Sequence, residues 1–168
     1  MLEIGKPAPA FELRDVKGET HNLSELSGSV SVLIWIFAEW CPVCHGEFHE
    51  LESMETQFRG NNINVCTIQI GDRDRCSVMA GMHAPWWPHL YDTAGAVSAR
   101  YGTDPFEFTV HAEWINRPVT IIINRDGVVD FAYYGTFFGD RPSIEQTFEM
   151  IEHDRYEFDH PDRRKTTG

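Results

Sequence analysis

Cys41 and Cys44 stand three positions apart in Trp40-Cys41-Pro42-Val43-Cys44, directly after the apolar run Trp35-Ile36-Phe37-Ala38. A buried strand running into a helix would place both thiols in the first helical turn, close enough to form a disulfide with little backbone movement. The positive end of the helix dipole favours a thiolate on the first cysteine. A thiolate that attacks a disulfide, with a second thiol placed to release it, is the minimum needed for thiol–disulfide exchange. Two plainer readings compete: half of a zinc site, or two core cysteines. Zinc needs a second ligand pair at short spacing, whereas Cys66 and Cys76 have nine residues between them. Redox chemistry is the expected reading. Cys66 lies in an apolar run and reads as an inert core thiol. Cys76 follows Asp72-Arg73-Asp74-Arg75 near a helix start, so it is open to partial exposure and to an additional resolving role.

These residues need elements to hold them. Val30 to Phe37 is almost continuously apolar and rich in β-branched residues, the pattern of a strand buried on both faces of a parallel sheet. Pro42 to Phe58 is helical by the spacing of Phe48, Leu51, Met54 and Phe58, and Arg59-Gly60 ends it. Ile63 to Ile70 predicts a second central strand. Asp72 to about His83 predicts a helix, broken by Ala84-Pro85-Trp86-Trp87-Pro88; the two tryptophans read as core and loop packing. His89 to Tyr91 is a short strand and Thr93 to Tyr101 a helix. Before the dithiol, Phe11, Leu13 and Asp15 alternate, Val16 to Glu19 turns and Thr20 to Asn22 returns, a small hairpin followed by a helical turn at Ser24–Gly28. Beyond it, Phe106 to Trp114 alternates apolar and polar residues and predicts an extra strand or hairpin arm, by default an ornament over the domain's own core; the sharper readings are a dimer edge through 105–115 or a lip over the active site. Val119 to Asn124 and Val128 to Tyr134 form a hairpin around Arg125-Asp126-Gly127. Ser143 caps a last helix to about His153, with Gln146 in the capping-box position. Asp140-Arg141 and the terminal Asp162-Arg163-Arg164-Lys165 read as solvated charge. The order predicts an α/β sandwich: one domain over 1–158, with a polar, frayed tail over 159–168.

The totals narrow the function. Fourteen basic residues against 26 acidic ones give a net charge of −12 over 168 residues, which argues against nucleic acid or an anionic membrane as partner. Met1 to Pro7 has neither a basic n-region nor an apolar h-region, and no run reaches the length of a membrane span. A soluble, cytoplasmic protein is expected, and in a reducing compartment cysteines argue for catalysis over structural disulfides.

Three motifs in this order resemble the thioredoxin-like superfamily. Within it the chain resembles the AhpC/TSA–redoxin group, nearest the TlpA/ResA-like thiol–disulfide oxidoreductases. The motifs are the opening Gly5-Lys6-Pro7-Ala8-Pro9-Ala10-Phe11, the Ala38-Glu39-Trp40-Cys41-x-x-Cys44 signature, and Arg117-Pro118-Val119-Thr120 ahead of a strand. The resemblance implies a central mixed sheet flanked by helices, with an N-terminal hairpin extension and an inserted arm near 103–116. It implies that Cys41 is the exposed attacking thiolate and Cys44 the buried resolving thiol. Trp40 would shield the pair, with Pro42 and Val43 tuning it. Pro118 would form a cis bond against the dithiol, leaving the Arg117 backbone to pair with a substrate chain. The partners implied are a protein disulfide and an upstream dithiol reductant; no metal or cofactor is expected. Two features depart from the pattern. The buried acid six residues before the first cysteine is replaced by Trp35, with Glu47 and His45 as candidate substitutes, although a solvated helix position is the default for each. The insertion near 103–116 is the other departure.

The same superfamily supplies an alternative, a peroxidase in which Cys44 attacks peroxide. That chemistry needs a hydroxyl beside the thiolate and an arginine to stabilise it. Cys41 replaces the threonine, Phe37 the proline, and Arg117 is one position off, which in a strand reverses its side chain. Exchange is favoured over peroxide reduction. A minor alternative is a Sco-like metal chaperone, whose Cys-x-x-x-Cys is one residue longer. His83, His89 and His111 show no ligand spacing to one another.

Overall fold

The structure is a computed structural model and describes residues 1–160; the terminal charge cluster and most of the polar tail lie outside the described residues. Strands β1 (Glu12–Asp15) and β2 (Thr20–Asn22) form the opening hairpin, followed by a 3-10 turn at Leu23–Leu26. Then come β3 (Ser31–Trp35), α1 (Pro42–Ser53), α2 (Glu55–Gly60), β4 (Asn64–Ile70), α3 (Arg73–Gly81), β5 (His89–Asp92) and α4 (Ala96–Arg100). The chain continues through β6 (Phe106–Phe108), β7 (Glu113–Ile115), β8 (Val119–Ile123), β9 (Val129–Tyr134) and α5 (Ile144–Glu152).

Seven strands make one mixed sheet in the order β2-β1-β5-β4-β3-β8-β9. β3, β4 and β5 run parallel, and β8–β9 and β1–β2 pair antiparallel at either side. This is the thioredoxin-like α/β fold that the element order implied. Period-two alternation on β3 divides the core. Val32 and Ile34 face a layer with Phe48 and Leu51 of α1, Phe58 of α2 and Phe148 of α5, while Leu33 and Trp35 face Val97 and Tyr101. α5 starts with the Ser143–Gln146 capping box read from the sequence.

Three expectations change in detail. The helix expected over 42–58 breaks at Met54, whose backbone leaves helical geometry, next to Ser53, whose hydroxyl donates back to the Glu50 carbonyl at 2.7 Å. The 106–114 segment is a two-stranded hairpin, with Ala112 at φ +50 in its turn. It stands outside the main sheet as a flap. The Arg117–Pro118 bond is trans, since the described residues hold no cis peptide. Trans is the lower-energy isomer at X–Pro by about 0.5–1 kcal/mol. In it the Pro118 carbonyl accepts from the Gly135 N–H at 2.8 Å. No helix among the described residues is long and apolar enough to cross a membrane.

Candidate active site

Cys41 is the N-cap residue of α1, Pro42 occupies its first turn, and Cys44 follows one turn in. Proline costs little there, because the N–H it lacks would find no helical partner. The expectation of an exposed Cys41 is overturned: only 2% of its surface is accessible, and Cys44 has none. The flap does this. Phe106 and Phe108 of the β6–β7 hairpin pack on Phe37 at 6.0 and 6.3 Å between ring centroids. Trp40 lies against Phe108 and under His111, and its indole N–H donates to Glu113 at 3.1 Å. Arg75 of α3 ties the same flap down, pairing with Glu39 at 3.0 Å and with Glu113 at 2.8 Å. The hairpin thus packs against Phe37 and Trp40, beside the dithiol.

Glu47 and Arg141 reverse their sequence reading as solvated charge. Glu47 keeps 6% of its surface and Arg141 8%. The guanidinium donates to the Glu47 carboxylate at 2.9 Å and to Cys44 Sγ at 3.5 Å. Asp140, also buried, accepts from the Thr136 N–H and hydroxyl and so tightens the loop that turns Arg141 inward. Gly135 makes that loop feasible, because a Cβ there would lie 2.2 Å from the Asp140 carbonyl. The signal available in the sequence was position: Glu47 lies one turn beyond Cys44 and beside Phe48 on a half-buried helix. Arg141 carried no such signal.

These neighbours split the two thiols. The Cys41 thiol is pulled down to about 6, first because the Cys44 S–H donates to it; the first-turn N–H dipoles and Arg141 add to this against the cost of burial. Cys41 closes no cap hydrogen bond of ordinary geometry, so the helix end acts on it as a dipole. Burial, followed by that shared hydrogen, holds Cys44 well above the usual thiol range. Burial raises the Glu47 carboxyl to about 7, with the Arg141 charge opposing it. A groove of about 490 Å³ lined by Glu47, Arg141, Gly46 and Gln146 gives this acid a route to solvent.

The other candidates lie elsewhere. Trp35 turns to the opposite core layer and donates to Ser98 at 3.0 Å. His45 is held by the Glu39 carbonyl at 2.6 Å and His83 at 2.7 Å. Arg117 reaches outward to Asp104 at 3.0 Å and lies over the Phe106 ring. Cys76 is fully buried, which overturns the expected exposure, and burial pushes both its thiol and that of Cys66 up to about 12. Trp86 and Trp87 donate to Leu51 and Thr67 as packing residues. Among the described residues, neither group of side chains able to hold an ion includes a cysteine of the dithiol.

Residues 4–132 match the family model described as the AhpC/TSA family. Alkyl hydroperoxide reductase E of Mycobacterium bovis is 30% identical over 140 residues, covering 79% of this chain and 85% of the relative. The thiol:disulfide interchange protein DsbE of Yersinia pestis is 28% identical over 143 residues, covering 80% and 68%. Among solved structures, a DsbE-type interchange protein from Chlorobium tepidum superposes with a TM-score of 0.72 at 22% identity, over 92% of this chain and 99% of that one.

Proposed function

The chain is an oxidoreductase of the AhpC/TSA family, a group of thiol–disulfide oxidoreductases and peroxiredoxin-like proteins, and from that membership we propose that it exchanges thiols with protein disulfides through Cys41 and Cys44. One observation carries the reading: of two adjacent thiols, the one at the helix N-terminus is poised as thiolate and the deeper one is held as thiol. The Cys41 thiolate attacks one sulfur of the substrate disulfide and the first substrate thiolate leaves, giving a mixed disulfide. Cys44 then loses its proton and attacks Cys41 Sγ, which expels the second substrate thiolate and leaves the Cys41–Cys44 disulfide. Two electrons have passed to the substrate, and an upstream dithiol restores the pair. Glu47 is the base placed to take the Cys44 proton, since the guanidinium that touches Cys44 also holds its carboxylate. Substrate reaches Cys41 by displacing the β6–β7 flap, which hydrogen-bonds as a sheet only to itself.

A second reading is favoured by one contact, Arg141 against Cys44 Sγ. It supplies from another part of the chain the arginine that Arg117 does not. In that reaction the Cys44 thiolate attacks a peroxide oxygen, the O–O bond breaks and water or alcohol leaves; Cys41 then condenses with the sulfenic acid, releasing water and closing the same disulfide. Two assays on wild type, Cys41→Ser and Cys44→Ser separate the readings. Exchange predicts fast reduction of a protein disulfide that needs both cysteines, with slow peroxide turnover. Fast peroxide consumption that survives Cys41→Ser and is lost in Cys44→Ser would replace it.

A further inference from the structure

A histidine cluster on the outer face of α1 has no part in the thiol chemistry. His45, His49 and Glu52 follow one another at i, i+4 and i+7 on that helix, so they share a face. His83, just after α3, closes the group from across the chain with its side chain buried. Three contacts run in a line: His45 Nε2 to the Glu39 carbonyl at 2.6 Å, His45 Nδ1 to His83 Nε2 at 2.7 Å, and His83 Nδ1 to Glu52 Oε1 at 2.7 Å. The His45 and His83 ring planes are nearly parallel, 25° apart.

The hydrogens in this line do not add up. Both ends, a carbonyl and a carboxylate, can only accept, so three contacts need three hydrogens. Two neutral imidazoles carry two. With His45 donating to Glu39, and His83 donating from Nε2 to His45, the bare lone pair of His83 Nδ1 faces the Glu52 carboxylate. Either a proton on His83 Nδ1 or a metal ion supplies the positive partner this contact needs. A third nitrogen converges on the same point: donor atoms of His49, Glu52 and His83 all lie within 4.8 Å of one another, and the His49 ring stands edge-on to His83 at 4.7 Å. His49 closes no hydrogen bond among the described residues, and a metal ion, unlike a proton on His83, would engage all three groups at once.

We infer that His49, Glu52 and His83 form a binding site for a divalent transition metal of the zinc class, separate from the dithiol. Two imidazoles and a carboxylate are the ligand chemistry such ions take, with solvent completing the shell on the exposed His49 side. His45 is the orienting partner: through it the Glu39 carbonyl fixes which nitrogen of His83 is free to coordinate. The ion would clamp the dithiol helix to the turn after α3.

The test is a titration of the full, reduced, metal-stripped chain with Zn²⁺ by calorimetry, with Co²⁺ absorption as a second readout. The site predicts one equivalent bound in a Cys41→Ser/Cys44→Ser double variant, and a Co²⁺ spectrum there with visible d–d bands and no thiolate charge transfer. His49→Ala, a change at an exposed helix position, weakens binding about 100-fold, as does His83→Gln, while His45→Gln weakens it about tenfold as an orienting residue does. Loss of binding in the double cysteine variant would put the metal on the dithiol and overturn the inference. Undiminished binding in His49→Ala would do the same, as would no measurable Zn²⁺ uptake by the wild type.

Discussion

Cys41 and Cys44 at the start of α1, and Cys66 and Cys76 on β4 and α3, are all shut away from water, yet only the first pair is poised to react. Burial acts on all four in the same direction, because an apolar surround disfavours the thiolate. Cys66 has nothing to oppose it, and for Cys76 the nearby Arg75 is countered by Glu39 and Asp72. Around Cys41 the balance changes sign: a neighbouring thiol gives it a hydrogen, the helix dipole points at it, and Arg141 adds a whole charge. What is buried with a thiol decides which way its ionisation moves, and burial alone pushes it up.

The largest test of that contrast is substitution. Cys41→Ser and Cys44→Ser each lower protein-disulfide reduction by on the order of 10³-fold, the scale on which losing one member of a catalytic unit is felt. Arg141→Met comes next. It leaves Glu47 buried without its partner, so urea unfolding at neutral pH shows a loss of about 3 kcal/mol, with part recovered on adding Glu47→Gln. The same variant moves the Cys41 alkylation midpoint upward. An unchanged midpoint would mean the guanidinium is structural only. Glu47→Gln lowers turnover about tenfold to a hundredfold if the carboxylate takes the Cys44 proton. Since a base must be ionised, wild-type turnover rises as pH passes through about 7, and the glutamine variant lacks that limb. The sign is opposite for stability. Folded Glu47 holds its proton more tightly than the unfolded chain, so its contribution is present below about 4.5 and lost as pH rises through about 7. In wild type, iodoacetamide modification of Cys41 follows a midpoint near 6, with Cys44 spared; a midpoint near 8.5 would show burial winning there too. The smallest effect is expected at the inert pair, where Cys66→Ala and Cys76→Ala change turnover less than about twofold and stability by about 1 kcal/mol. A larger loss of turnover in Cys76→Ala would return it to a resolving role.

Much of the frame was legible without coordinates. The unbroken apolar run before Cys41, the proline after it and the capping box at Ser143 each state their local structure outright, and their order implies the sheet. The errors share one character. Arg141 looked like loop charge because nothing within a few residues of it is unusual; its partner Cys44 lies 97 positions earlier. Cys41 looked exposed because the flap that packs on its neighbours Phe37 and Trp40 begins more than sixty residues later. Pro118 looked cis by analogy, although the isomers differ by only about 0.5–1 kcal/mol, less than surrounding packing contributes. The histidine cluster went unread because His83 meets His45 and His49 only across the fold.

By itself, then, the amino-acid order determined the dithiol, the helix that bears it and the sequence of strands and helices around it. These follow from backbone propensity and side-chain periodicity, which act over one or two turns of chain. What offsets the cost of burying Cys41, whether Glu47 is wet or buried, and what packs beside the dithiol were decided by tertiary structure. Those properties depend on the charge and dielectric within a few ångströms of an atom, and the folded sheet fills that space with residues remote in sequence.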